Sequence, residues 1–378
     1  MTTTLPAPTT RHPTHVPAER DRAIDALRAF SIVGVVLGHW LVTAVVITGS
    51  GWSVASPLQH VPALTPISWV LQTLAPFFFA AGFAAAVSLR RRPGWRQWIA
   101  SRFAKILAGV GILVAFWLPI LVALLVGGLP FDTLKKAAMF VVSPLWFLGV
   151  LAVLMAATPL LRAAVARFGA PAAMPLVAVV GIADFLQYGP IHASAFGWVA
   201  IPCAWAVPYV LGIAYAGRGL RHRGVALVLV AAGAAAAFVL VSYAGYPLSM
   251  VGVTGAERSN LNPPSLMALA LAAIQLGLFL LVRDKLDRAS RSVEMMNAFA
   301  MPIYLWHQSA LLITVLVGSA LASVIPGLIG SPESVSWVLL RLAWLPILAT
   351  VLGGLLFVLS RRGRRRPHVD LPGQRAAG

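Results

Sequence analysis

The chain has 378 residues, of which 59% are hydrophobic and only 11% charged. Its mean hydropathy is +0.86, whereas about a quarter of the residues in a soluble domain are charged, so the composition is that of an integral membrane protein. The net charge of +18 would suit nucleic acid, but no basic domain is present to hold a duplex, and no nucleic-acid partner is expected. One cysteine, Cys203, excludes an internal disulfide framework and a thiolate zinc cluster, and is expected to be small core filler.

The first twenty residues, MTTTLPAPTTRHPTHVPAER, are rich in Thr and Pro and lack an apolar run, so residues 1–20 are expected to form a disordered cytoplasmic tail. No signal peptide is expected, because the first apolar run is long and late. Apolar runs long enough to span a bilayer fall at about 24–48, 65–89, 102–126, 142–161, 173–189, 197–217, 224–243, 264–282, 297–320 and 334–359, ten in all. Connections are no longer than about twenty residues on this reading, which leaves a ten-helix domain over 21–360 and a basic cytoplasmic tail over 361–378. The fold class is therefore all-α, a polytopic helix bundle.

Basic residues mark cytoplasmic segments. With the N-terminus inside, only Lys135, Lys136 and Arg258 fall outside, Arg341 lies within the last span, and the other Lys and Arg residues of the 29 fall inside. Both termini are thus expected in the cytoplasm of a plasma-membrane protein, with most arginines facing anionic lipid. The absence of an evident internal repeat argues against an inverted-repeat transporter.

Ionisable groups inside a span are expensive enough to be functional candidates first. The first span, RAIDALRAFSIVGVVLGHWLVTAVV, carries Asp25, Arg28 and His39. Intervals of three and eleven residues place all three on one helical face, with Arg28 and His39 about 16 Å apart along the axis. His39 is expected near the middle of the span, where a neutral imidazole is suited to take a proton from a hydroxyl. Arg28, at the cytoplasmic end, either pairs with Asp25 or presents a guanidinium to a phosphate-bearing cofactor.

The second span carries Pro76-Phe77-Phe78-Phe79 and Gly82-Phe83 before Arg90-Arg91-Arg92. Arg102 and Lys105, one turn apart at the start of the third, suit phosphate or lipid headgroups equally. Trp146 and Phe147 fit an interfacial aromatic belt. Asp184, Tyr188, Glu257 and Arg258 sit toward the outer side, where any of them could meet an acceptor. In the ninth span, Tyr304, His307 and Gln308 share a face, and His307 is expected at mid-membrane beside a cavity shared with His39. Arg341, in the last span, needs a partner or a wet cavity.

With these residues in place, the chain resembles the membrane acyltransferase family 3 over most of its length. Arg28, ten intervening residues and His39 match the family's basic residue and histidine in the first helix, after the IDALR opening. PFFFAAGF is similar to its aromatic, glycine-ended second helix, and PLWFLGVL and YLWHQSALL to its fourth-helix tryptophan and late histidine segments. Where the family often has a second arginine and a proline at the start of the third helix, this chain has Lys105 followed by Ile106-Leu107-Ala108.

The resemblance implies an O-acyltransferase with acyl-CoA, in the first instance acetyl-CoA, as donor substrate and no permanently bound cofactor or metal. It implies a hydroxyl acceptor on a sugar, cell-envelope glycan or glycosylated metabolite. On this reading His39 is the general base. Arg28, with Arg102 and Lys105, holds the donor's phosphates, or Arg28 supports the His39 arrangement. His307 lines the oxyanion or acceptor side, and Tyr304, Gln308 and Arg341 contact substrate. Direct transfer and an acyl-imidazole on His39 both fit this set. The rival classes are a proton-coupled transporter or lipid flippase using the same Asp25, Arg28 and His39, and a scaffold whose polar residues only fix helix packing.

Overall fold

The described residues sort into thirteen α-helices and one antiparallel strand pair. The computed structural model describes residues 21–48, 51–91, 94–253, 256–288 and 290–364; the expected N-terminal tail and residues 365–378 of the expected C-terminal tail lie outside these. The helices are α1 (Arg22–Val42), α2 (Thr65–Leu71), α3 (Leu74–Arg90), α4 (Trp95–Val126), α5 (Phe131–Val142), α6 (Leu145–Phe168), α7 (Met174–Tyr188), α8 (Gly197–Ala216), α9 (Arg223–Tyr243), α10 (Leu266–Leu286), α11 (Arg291–Ala298), α12 (Ala300–Ser319) and α13 (Val335–Arg364). Ten segments among the described residues are long and apolar enough to cross a membrane, in the order the sequence predicts, and the protein is a polytopic helical membrane protein.

Four of the predicted spans change character along their length. The first is helical only to Val42; Ala44–Thr48 (β1) pairs antiparallel with Gly51–Ala55 (β2). Val45, Val46, Ile47 and Thr48 are all β-branched and lead into Gly49-Ser50-Gly51, a sequence that favours a hairpin over another helical turn. The second span breaks at Gln72 and Thr73 between α2 and α3. The fourth, expected over about 142–161, starts on the last residue of α5, a helix that occupies the expected connection before it, and breaks at Ser143 and Pro144 before α6, where proline has no N–H to continue the ladder. The ninth breaks at Phe299, between α11 and α12. In the last span, α13 carries on through Arg361 to Arg364, so the helix takes in the start of the predicted tail.

Close helix crossings hold the bundle together. α3 and α8 approach through reciprocal glycines. A Cβ at Gly82 would stand 2.0 Å from the Tyr209 carbonyl oxygen, and one at Gly212 would stand 2.0 Å from that of Phe79. Small residues allow such backbone contact where lipid removes any hydrophobic drive for helices to associate. Gly212→Val is therefore expected to push the helices apart and cost about 3 kcal/mol or more. Thermal unfolding in detergent checks this against Gly111→Ala, whose added Cβ has nothing within 4 Å and should leave the transition unchanged or slightly raised.

Candidate active site

α1 and α12 bring His39 and His307 together. His39 Nδ1 lies 2.7 Å from His307 Nε2, and the rings meet edge to edge, with centroids 4.9 Å apart and 5° between their planes. His307 Nδ1 lies 2.6 Å from the Tyr304 carbonyl oxygen. That oxygen can only accept, so His307 Nδ1 carries a proton and donates it. In the neutral pair His307 Nε2 is then an acceptor, His39 Nδ1 is the donor to it, and His39 Nε2 is left with a bare lone pair. The tautomer of His39 follows from a backbone carbonyl on another helix.

Neighbouring groups hold the pair in place. Trp40 Nε1 donates to the His307 carbonyl at 2.9 Å. From α4, Trp117 Nε1 donates to Ser309 Oγ, also at 2.9 Å. Thr73 Oγ1 donates to the Ser31 carbonyl at 2.8 Å, locking the α2–α3 break against α1. Because α1 ends at Val42, His39 is one turn from the end of its helix, not mid-span as the sequence predicts. His307, fully buried, is about two turns into α12.

At the other end of α1, Arg28 Nε donates to Asn297 Oδ1 at 2.6 Å, and Asn297 Nδ2 donates to the Asp25 carbonyl at 2.8 Å. The Arg28 guanidinium also lies 3.6 Å from the Asp25 carboxylate. Asn297, in the last turn of α11, fixes the arginine's orientation. Sequence reasoning missed it; its signal was an amide at the very start of a predicted span.

Three cavities link these two ends. A charged vestibule of about 1110 Å³ is lined by Arg28, Arg90, Arg91, Arg218, Arg221 and Arg283, with Asp21, Asp25 and Glu294 among the acidic groups. A narrower, mostly apolar cavity of about 240 Å³ is lined by Arg28 and Arg102 at one end and by Phe147 and Tyr304 at the other. A third, of about 180 Å³, is lined by Tyr304 and His39. Arg28 borders the first two and Tyr304 the last two, so the cavities lie in series from the arginines to His39.

Tyr304 is buried, and its hydroxyl donates to the Pro144 carbonyl at 2.6 Å. The break before α6 exposes that carbonyl, and the tyrosine spans it at the neck between cavities. With its one proton committed to Pro144, the tyrosine's visible role is to shape the passage.

The other predicted residues separate. Arg102 lines the middle cavity, its guanidinium 5.8 Å from the centroid of Trp98. Lys105 is exposed on α4 and borders none of the three cavities. Lys105→Ala is accordingly expected to leave turnover and donor KM within about twofold of the parent, as steady-state kinetics would show. Gln308 is buried beside His307 without lining these cavities, and its Oε1 has no partner among the described residues. Arg341 is fully buried and donates through Nη2 to the Thr43 carbonyl. Its charge therefore faces the C-terminal end of α1, which favours a cation, and it does not line the His39 cavity.

Asp184, Tyr188 and Arg258 form a separate cluster. Asp184 Oδ2 accepts from Tyr246 Oη and from the Leu266 N–H, both at 2.8 Å, and the Arg258 guanidinium covers the rings of Tyr246 and Tyr188. Burial, and then the Asp184 carboxylate, push the Tyr246 hydroxyl above its ordinary pKa, so it remains a donor. The cluster staples the loop before α10 to α7.

A family model described as an acyltransferase domain, that of the membrane acyltransferase family 3, matches residues 21–360. The chain belongs to this family. No curated protein and no solved structure matches it. The matched region takes in every residue of the histidine pair, the Arg28–Asn297 contact and the three cavities. This acyltransferase thus has a family-level activity that needs a donor, a hydroxyl acceptor and a place for them to meet, together with a serial set of cavities ending at an imidazole.

Proposed function

We propose that the protein is an acyl-CoA-dependent O-acyltransferase in which His39 Nε2 is the general base. The observation that carries this reading is the hydrogen-bond chain from the Tyr304 carbonyl through His307 to His39, which leaves a lone pair on Nε2 of a residue lining a cavity. CoA's phosphates sit in the arginine vestibule, where guanidinium groups give charge-assisted bonds to phosphate oxygens. The thioester arm passes Arg28 and Arg102 and brings the acyl carbonyl past Tyr304. The acyl group in the simplest case is acetyl.

The acceptor hydroxyl gives its proton to His39 Nε2 as its oxygen attacks the thioester carbon. His39 Nδ1–H stays bonded to His307 Nε2 and steadies the imidazolium that forms. The tetrahedral intermediate collapses by breaking the C–S bond, and the proton on His39 goes to the departing thiolate. The ester and free CoA result, with His39 restored. The arginine bias supports a cytoplasmic vestibule and cytoplasmic termini in a plasma membrane.

The test is acceptor-dependent release of free thiol from acetyl-CoA by the purified chain in lipid bilayers. Substrate movement across the bilayer with no thiol release in the presence of acceptor would replace this reading with transport. Arg28→Ala is expected to raise the KM for acyl-CoA by about 10- to 100-fold, the worth of a charge-assisted hydrogen bond, with kcat changed far less. Initial rates at varied donor concentration separate the two constants.

A further inference from the structure

The cavity at His39 is apolar to a degree that constrains its occupant. Its walls include Leu58, Leu64, Ile67, Leu71, Trp146 and Val338, and its polar side chains besides His39 are Ser68, Gln72 and Tyr304. Each of these is already engaged. Ser68 Oγ donates to the Thr65 carbonyl at 2.6 Å and accepts from the Met250 N–H at 3.0 Å. Gln72 Oε1 accepts from the Leu74 N–H at 3.0 Å, and the Tyr304 hydroxyl donates to Pro144. What remains on the lining side chains is essentially the lone pair of His39 Nε2, the amide nitrogen of Gln72 and the indole N–H of Trp146. A polar sugar seated whole in this cavity would bury several hydroxyls without partners, which disfavours it strongly.

Resting on the acyltransferase reading above, we infer that the acceptor is an alcohol whose reacting hydroxyl sits on a hydrocarbon-rich skeleton, with no more further oxygens than the Gln72 amide and the Trp146 indole N–H can serve. Any heavily hydroxylated part of the molecule stays outside the cavity. The donor's acyl chain is the other apolar group at hand, but the donor arm arrives through the middle cavity on the Arg28 side of Tyr304, and the His39 cavity lies beyond it. Gly38 borders the cavity, and a Cβ there would meet Leu71 at an ordinary 3.6 Å. A Leu side chain at that position therefore fits the backbone and fills the space beyond.

Cyclohexanol and myo-inositol share a six-carbon ring and differ in their number of hydroxyls, which makes them a matched pair of acceptors. The purified full chain in lipid nanodiscs, supplied with acetyl-CoA, is expected to acetylate cyclohexanol at least tenfold more efficiently than inositol. Gly38→Leu should remove that activity while leaving equilibrium binding of CoA, whose phosphates sit in the vestibule that Gly38 does not line, unchanged. Equal or faster acetylation of inositol or glucose would overturn the inference and leave the acyltransferase reading intact. A second arm needs no turnover: a cyclohexyl alcohol carrying a photoreactive diazirine should label residues 57–72 in the parent and lose at least 80% of that labelling in Gly38→Leu. Labelling that is absent, or equal in the two proteins, overturns the inference. Absence of thiol release with every alcohol, alongside normal labelling, overturns the acyltransferase reading instead.

Discussion

Replacing His39 with Ala is expected to lower acceptor-dependent thiol release by about 10²- to 10⁴-fold, the usual worth of a general base. The side chain supplies the lone pair that the hydrogen-bond chain leaves on a residue lining the cavity, and the other unprotonated nitrogen, His307 Nε2, belongs to a fully buried residue that does not line it. The substitution also strips His307 Nε2 of its donor in a fully buried position, at a cost of about 1–3 kcal/mol. Activity loss and unfolding therefore need separating. His39→Gln does so, since an amide N–H can still donate toward His307 while offering no basic nitrogen. It should retain the parent's thermal transition to within a few degrees and lose activity as His39→Ala does. A His39→Gln protein that keeps more than a tenth of the parental rate would remove His39 from the chemistry.

Much of this arrangement is legible in the sequence because lipid is a strict solvent. Apolar runs must be helical to satisfy their own backbone groups, and so ten spans could be counted and ten are found. Intramembrane charge is rare enough to draw attention, which singled out Asp25, Arg28, His39, His307 and Arg341. What stayed hidden lies where the spans are interrupted. Non-helical backbone at membrane depth is tolerated only where protein or a cavity covers it, and here the breaks border the route. Gln72 lines the His39 cavity, Pro144 presents the carbonyl taken by Tyr304, and the break at Phe299 follows Asn297, the partner of Arg28. Hydropathy averages over such breaks, so the helix containing His39 read as ending six residues beyond its actual end at Val42.

Charge was read correctly in number and too blandly in place. Arg90, Arg218, Arg221 and Arg283 carry the same compositional signal as any cytoplasmic loop residue, and only folding gathers them around one vestibule. Lys105 shows the converse. One turn from Arg102 on the same helix, it projects outside the cavities, because a helical face that turns inward at one position has rotated away some 60° at the third residue on.

His307→Ala is expected to cost about 100-fold in kcat while leaving the KM for acyl-CoA nearly unchanged, although His307 meets neither substrate in the proposed reaction. Its Nε2 is the acceptor that keeps the His39 proton on Nδ1. Without it the His39 ring is free to carry its proton on Nε2, where no lone pair faces the acceptor, and the hydrogen bond at 2.7 Å that holds the ring is lost as well. Residues that act as a unit are not additive in their removal. The double variant His39→Ala/His307→Ala should consequently be no slower than His39→Ala alone, to within about threefold. Rates that multiply would mean that His307 contributes independently, by contact with the acceptor or the oxyanion. His307→Gln separates the two cases: if its amide oxygen takes the His39 Nδ1 proton in place of Nε2, kcat should recover by about tenfold over the alanine variant, a recovery that a purely space-filling role for the imidazole would not produce.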